Sequence, residues 1–223
     1  MPNKKLQTDA VRGVDLCACS LRSHFRTQTT PHTPRLNLAL GLKENKVPSI
    51  YHHELQAYRV ELSELDARFA EIATPGKVEN VTHAAFGFSN RMSFMLVGMC
   101  SLVEAYLFEL TQSNPAEFNL ADLKGQGITR LKLYLSRTGV VAFGELKNWD
   151  RFSSIYKIRN EIVHSYGGMA AEDLTDTISP HIKKLGFTGV LIAGRRIRVG
   201  REHMTEVIGV VDGLLDELGA YKT

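Results

Sequence analysis

Residues 80–112 read NVTHAAFGFSNRMSFMLVGMCSLVEAYLFELTQ. The stretch contains no proline, and its apolar side chains are not confined to one stripe. Phe86, Phe88, Met92, Phe94, Met95, Leu96, Val97, Met99, Leu102, Val103, Tyr106, Leu107 and Leu110 cover most of a helix circumference. A helix apolar on most faces is packed by neighbours on several sides. This one is therefore predicted to be the central element of a helical fold. Asn114-Pro115 stops it. Its longest uncharged run lies between Arg91 and Glu104, too short to span a bilayer.

The flanking segments are helical too. Ser49 can cap a helix in which Leu55, Tyr58, Leu62, Leu65 and Phe69 recur at spacings of three and four, until Pro75-Gly76. A single helix is expected over 120–135, weakened by Gly125 and Gly127 and ending near Gly139. Another is expected over 145–166, with Phe152, Ile155, Ile158 and Ile162 as its stripe and Gly167-Gly168 as its stop. The pattern then changes. Val190-Leu191-Ile192-Ala193 and Ile197-Arg198-Val199 are short β-prone runs around Gly194-Arg195-Arg196, which reads as a small hairpin. A closing amphipathic helix carries Met204, Val207, Ile208, Val211, Leu214, Leu215 and Leu218. The fold class is all-α: a helical bundle with a long central helix and a small β-hairpin appendage near the C-terminus.

The composition, 43% hydrophobic and 23% charged over 223 residues, is ordinary for a globular chain and excludes collagen or wholesale disorder. The net charge of +3 is unevenly spread. Residues 1–46 hold eight Lys/Arg against three Asp/Glu, net +5; the other 177 hold 19 against 21, net −2. The first segment shows no apolar period and is expected to be a poorly ordered basic extension. Its alternatives are a flexible basic arm or a misassigned start. Residues 47–223 form the helical domain.

Cys17, Cys19 and Cys100 make neither a zinc set nor a disulfide framework. No signal-peptide apolar core follows Lys4-Lys5. A soluble cytoplasmic protein is expected, with no metal and no cofactor. His52-His53-Glu54 lacks the H-E-x-x-H spacing, and no Walker A loop or G-x-S-x-G occurs. His83 reads as a satisfied core or surface histidine, and the methionines at 92–99 as core filler.

The stretch with chemistry is IRNEIVHSY at 158–166. Asn160 and His164 are four apart on one helix face. Arg159 lies about 140° from His164 around the helix, within reach of a long side chain. Histidine can move a proton on a ribose hydroxyl. Arginine presents a charged fork to phosphate oxygens. The pattern suits a metal-free phosphodiester site. It equally suits an Arg paired with an acid and a His beside a helix C-terminus.

RNEIVH resembles the R-x4-6-H motif of the HEPN superfamily (higher eukaryotes and prokaryotes nucleotide-binding). SLVEAYLFEL at 101–110 is similar to that fold's long second helix, and WDRFSSIYKIRNEIVHSYG at 149–167 to its motif-bearing helix. IAGRRIRV with the closing helix resembles the tail of RiboL-PSP-type HEPN domains. The resemblance covers residues 48–221. It implies a homodimer with two motif copies facing each other, RNA as partner, and a metal-independent endoribonuclease in a toxin or defence role. It implies 2′-OH attack on the adjacent phosphate, with His164 as general base or acid, Arg159 stabilising charge and Asn160 orienting. It also admits a non-catalytic module that binds RNA or nucleotide or dimerises.

Three further features leave alternatives open. Glu104, among apolar neighbours, calls for a cation, with Arg159 the candidate, unless it lies on a solvated stripe. Tyr166 extends the motif to R-x4-H-x-Y. That form resembles HEPN toxins whose tyrosine is modified by a nucleotidyltransferase antitoxin; capping or core packing is the other role. Between His181 and His203, six Lys/Arg face one acid. Arg195, Arg196 and Arg198 there could bind an RNA backbone, or simply block pairing at a strand edge.

Overall fold

The long apolar stretch forms helix α2, Val78–Ser113. In this computed structural model the described residues are 49–72, 78–164, 178–183, 186–187, 189–193 and 196–221. All belong to the unit Lys46–Thr223. The expected extension at 1–46 lies outside the described residues. The other elements are α1 (Ile50–Ile72), a 3-10 turn (Leu120–Asp122), α3 (Gly127–Arg137), α4 (Trp149–His164), α5 (described over 178–183), β1 (Val190–Ala193), β2 (Arg196–Val199) and α6 (Arg201–Gly219). The described chain is mostly helical, as its periodicity predicts.

α2 is central: α1, α3, α4, α6 and β2 all pack against it. It buries Met92, Met95, Leu96, Met99, Leu102, Val103, Tyr106, Leu107 and Leu110. By length and composition Val81–Ser113 could cross a bilayer, but 56% of its apolar window is buried in the protein, as in a core helix. The burial is not complete around the axis, because Phe86, Phe94 and Phe108 remain exposed. Gly98 lets α1 come close, since a Cβ there would overlap the Tyr58 hydroxyl.

α1 buries Leu55 and Leu62, two of the five stripe residues, with Tyr58, Leu65 and Phe69 half-buried. Arg59 to Asp212 (2.8 Å) and Arg201 to Asp66 (2.6 Å) link α1 and α6. Such exposed pairs contribute about 0–1 kcal/mol each, so the apolar seam decides the packing. α6 seals the core with all seven of its expected apolar residues.

Two helix boundaries differ from expectation. Residues 120–135 are not one helix. The chain makes one 3-10 turn, Gly125 (φ 102°) then reverses it, and α3 starts only at Gly127, itself left-handed (φ 52°). Left-handed backbone cannot continue a right-handed helix, and glycine is the residue that adopts it at no steric cost. α4 starts at Trp149, not near 145. The segment before it turns at Ala142–Glu145, and the Asn148 carbonyl accepts the first α4 bond from Phe152 N–H. The Asn148 side chain is tied to Glu217 of α6 (2.9 Å), which fixes where α4 begins.

β1 and β2 pair antiparallel, Val190 opposite Val199 and Ala193 opposite Arg196. This is the expected hairpin. β2 buries Ile197 and Val199 and turns Arg196 and Arg198 to the other side. That alternation follows from the two-residue period of a strand.

His203, on α6 behind the hairpin, is 0% exposed and stands edge-on to Phe187. Neither ring nitrogen has a hydrogen-bond partner. Burial pushes its pKa down to about 4, against the pull of Glu206 at 3.7 Å. The unfolded chain then binds more protons than the folded one between pH ~6.5 and ~4. The folded state should hold full stability above pH 6.5 and lose about 3 kcal/mol as pH falls to 4. In His203→Leu, thermal unfolding followed from pH 7 to 4 should show a flatter loss; an unchanged slope would clear this histidine.

Candidate functional site

α4 is oriented by Phe152, Ile155 and Ile158, all buried against the core. That seam leaves Trp149, Ser153, Tyr156, Asn160 and His164 along one adjacent line, at spacings of four, three, four and four. His164 is the last residue of α4 and is exposed. A solvent-facing histidine at a helix end is free to meet a ligand or a second chain.

Arg159 is half-buried. Its Nη1 donates to Asn160 Oδ1 at 2.9 Å, and its guanidinium lies 5.4 Å from the Tyr156 ring centre. Its Nε is buried without a hydrogen-bond partner. The Asn160 bond and the ring hold the fork in place, which reduces what must be ordered when an anion arrives.

Glu104 has other partners than the expected one. Its Oε1 accepts from Tyr156 Oη at 2.5 Å and from Ile128 N–H at 3.2 Å. No ion pair joins it to Arg159. It is a bracket between α2, the start of α3, and α4. A backbone donor and a phenol satisfy one oxygen, so a cation is not required. Gly127 completes the bracket: a Cβ there would lie 2.8 Å from Glu104 Oε1 and 3.0 Å from Tyr156 Oη.

The electrostatics agree with these placements. Burial, then the Glu104 bond, pushes the Tyr156 phenol up to about 12, with Arg159 acting the other way. Tyr156 therefore stays protonated as a donor and does not titrate near neutrality. Burial pushes the Cys100 thiol up to about 12, so it is no thiolate nucleophile. Among the described residues no group of three or more His, Cys, Asp or Glu could hold a metal ion.

Arg196 and Arg198 line a groove of about 400 Å³ with Phe94, Val97, Ile162 and Val163. Arg198 sits 4.7 Å from the Phe86 ring centre and reaches Asn90 Oδ1 at 3.4 Å. The hairpin arginines and the last turn of α4 thus meet at one groove, although Arg159, Asn160 and His164 do not line it. Tyr166 and Arg195 lie outside the described residues.

The sequence reading missed Tyr156 and Gly127. Tyr156 is four residues before Asn160 and shares its face, which was a usable signal. Nothing local announces that Glu104, 52 residues away, is its acceptor. No family model, curated protein or solved structure matches this chain.

Proposed function

We propose that the chain is a HEPN-type, metal-independent endoribonuclease whose site is built from the α4 ends of two copies. The carrying observation is the placement at one helix end of an ordered Arg159–Asn160 pair and an exposed His164. One His164 takes the proton of a ribose 2′-OH as its oxygen attacks the adjacent phosphorus. The partner copy's histidine gives a proton to the departing 5′-oxygen. The products are a 2′,3′-cyclic phosphate and a 5′-hydroxyl end. Arg159 meets the charge that develops on the non-bridging oxygens. Asn160 holds Arg159 and can orient the phosphate. In this reading the protein acts in the cytoplasm in a toxin or defence role.

A composite site needs a face that a second copy covers. The groove beside His164 supplies apolar surface for it, with Phe94 75% and Val163 45% exposed. Phe94→Asp should leave the fold intact, because the ring faces solvent. Light scattering should show the monomer, with cleavage lost in parallel; a dimer that persists would remove this face from the reading. The direct test is RNA incubated with purified protein in EDTA. Accumulation of cyclic-phosphate ends supports the nuclease. RNA binding without cleavage favours the non-catalytic module instead.

A further inference from the structure

We infer that the cavity between α3 and α4 is a binding site for a nucleoside monophosphate unit, its phosphate held by Lys132 and Lys157. The inference rests on the RNA reading above for its biological setting, but not for its chemistry. The cavity measures about 410 Å³, within the ~300–1,000 Å³ range of small-ligand clefts. Trp149 and Phe152 supply apolar wall, and Thr129, Ser153 and Asn160 supply polar atoms. Two lysines line it, and among the described residues no Asp or Glu does. Glu104 stands behind Tyr156 and Ile128, which hold its Oε1, and it is not itself a lining residue. Charge complementarity therefore selects an anion with an apolar body, which describes a nucleotide.

Among the described residues neither lysine has an acidic partner. Lys132 Nζ stands 5.2 Å and 5.7 Å from the Trp149 and Phe143 ring centres. Lys157 Nζ lies 3.2 Å from His181 Nε2, and His181 Nδ1 lies 3.3 Å from Ser154 Oγ. Their positive charges are left for a ligand rather than spent on a neighbouring carboxylate. The cavity adjoins the candidate site through Asn160. Ser153, Tyr156, Asn160 and His164 follow one line on α4, and Asn160 belongs to both. From Asn160 to His164 the helix rises about 6 Å. A strand whose scissile phosphate sits at His164 would place a neighbouring nucleotide in the cavity.

Binding can be read apart from cleavage with a fluorescent single-stranded oligomer of 2′-O-methyl nucleotides, which has no 2′-OH to attack. Anisotropy should show the Lys132→Met/Lys157→Met protein binding about tenfold or more weaker, with a salt slope reduced by about 1–2. Methionine keeps an apolar stem at both positions, over the Trp149 and Phe143 rings at 132, so the melting temperature should hold. Ser153→Trp, which fills the cavity, should weaken binding too. Displacement by uridine or adenosine monophosphate would assign the cavity to free nucleotide, and displacement only by oligomer to a strand; either sustains the site. Unchanged affinity in both the double-lysine and Ser153→Trp proteins would overturn it. Binding that depends on the lysines in a protein that cleaves no RNA would instead sink the nuclease reading and leave this site standing.

Discussion

His164→Ala is expected to lower RNA cleavage in EDTA by about 10²–10⁴-fold, the range that general acid–base catalysis contributes. The residue is exposed at the end of α4, so its removal should not move the melting temperature. That separation makes the prediction sharp: activity falls while stability does not. Arg159→Ala is expected to cost about 10²–10³-fold, as for loss of a charge-stabilising donor. Here some stability should go as well, because the guanidinium packs on Tyr156 and bonds Asn160. Arg159→Lys keeps the charge and loses the fork, so it should recover stability better than rate. Cleavage assays beside calorimetry check all three. Wild-type cleavage that survives in both alanine proteins would place the chemistry elsewhere.

Phe152→Ala should have the largest effect on the fold, about 3–5 kcal/mol. The ring is 0% exposed and lies between Trp149 and Tyr156, at 5.9 Å and 6.2 Å between centres. It anchors the helix that carries the site against α2 and α6. For a domain of this size that is a fall of roughly 10 °C in Tm. A fall below about 3 °C would mean the cavity collapses on its own and α4 is held by other contacts. The His164 and Phe152 proteins are opposites: one should lose rate at constant Tm, the other Tm first.

The helices were readable because their signal is local. α2 and α6 declare themselves by apolar density and a 3.6-residue period, and each requirement is met within a few turns. By local pattern residues 120–135 read as one weakened helix, and the break before α3 is not visible in them. Gly125 and Gly127 carry left-handed backbone there, and the tightness at Gly127 comes from Glu104 and Tyr156 crossing above it. The start of α4 depends on a distant residue in the same way, since Glu217 of α6 holds Asn148.

The same division holds for the site. The sequence by itself determined the residue string Arg159, Asn160 and His164, and its helical spacing, because both are set within one turn or two of one helix. It also determined that the hairpin would carry arginines. Only the tertiary structure decided that Glu104 grips Tyr156 and not Arg159. Only there do Lys132 and Lys157 share a cavity, and Arg196 and Arg198 a groove with the end of α4. Each of these is a meeting of side chains far apart in the chain. A one-dimensional pattern records which faces are apolar, but not which faces meet.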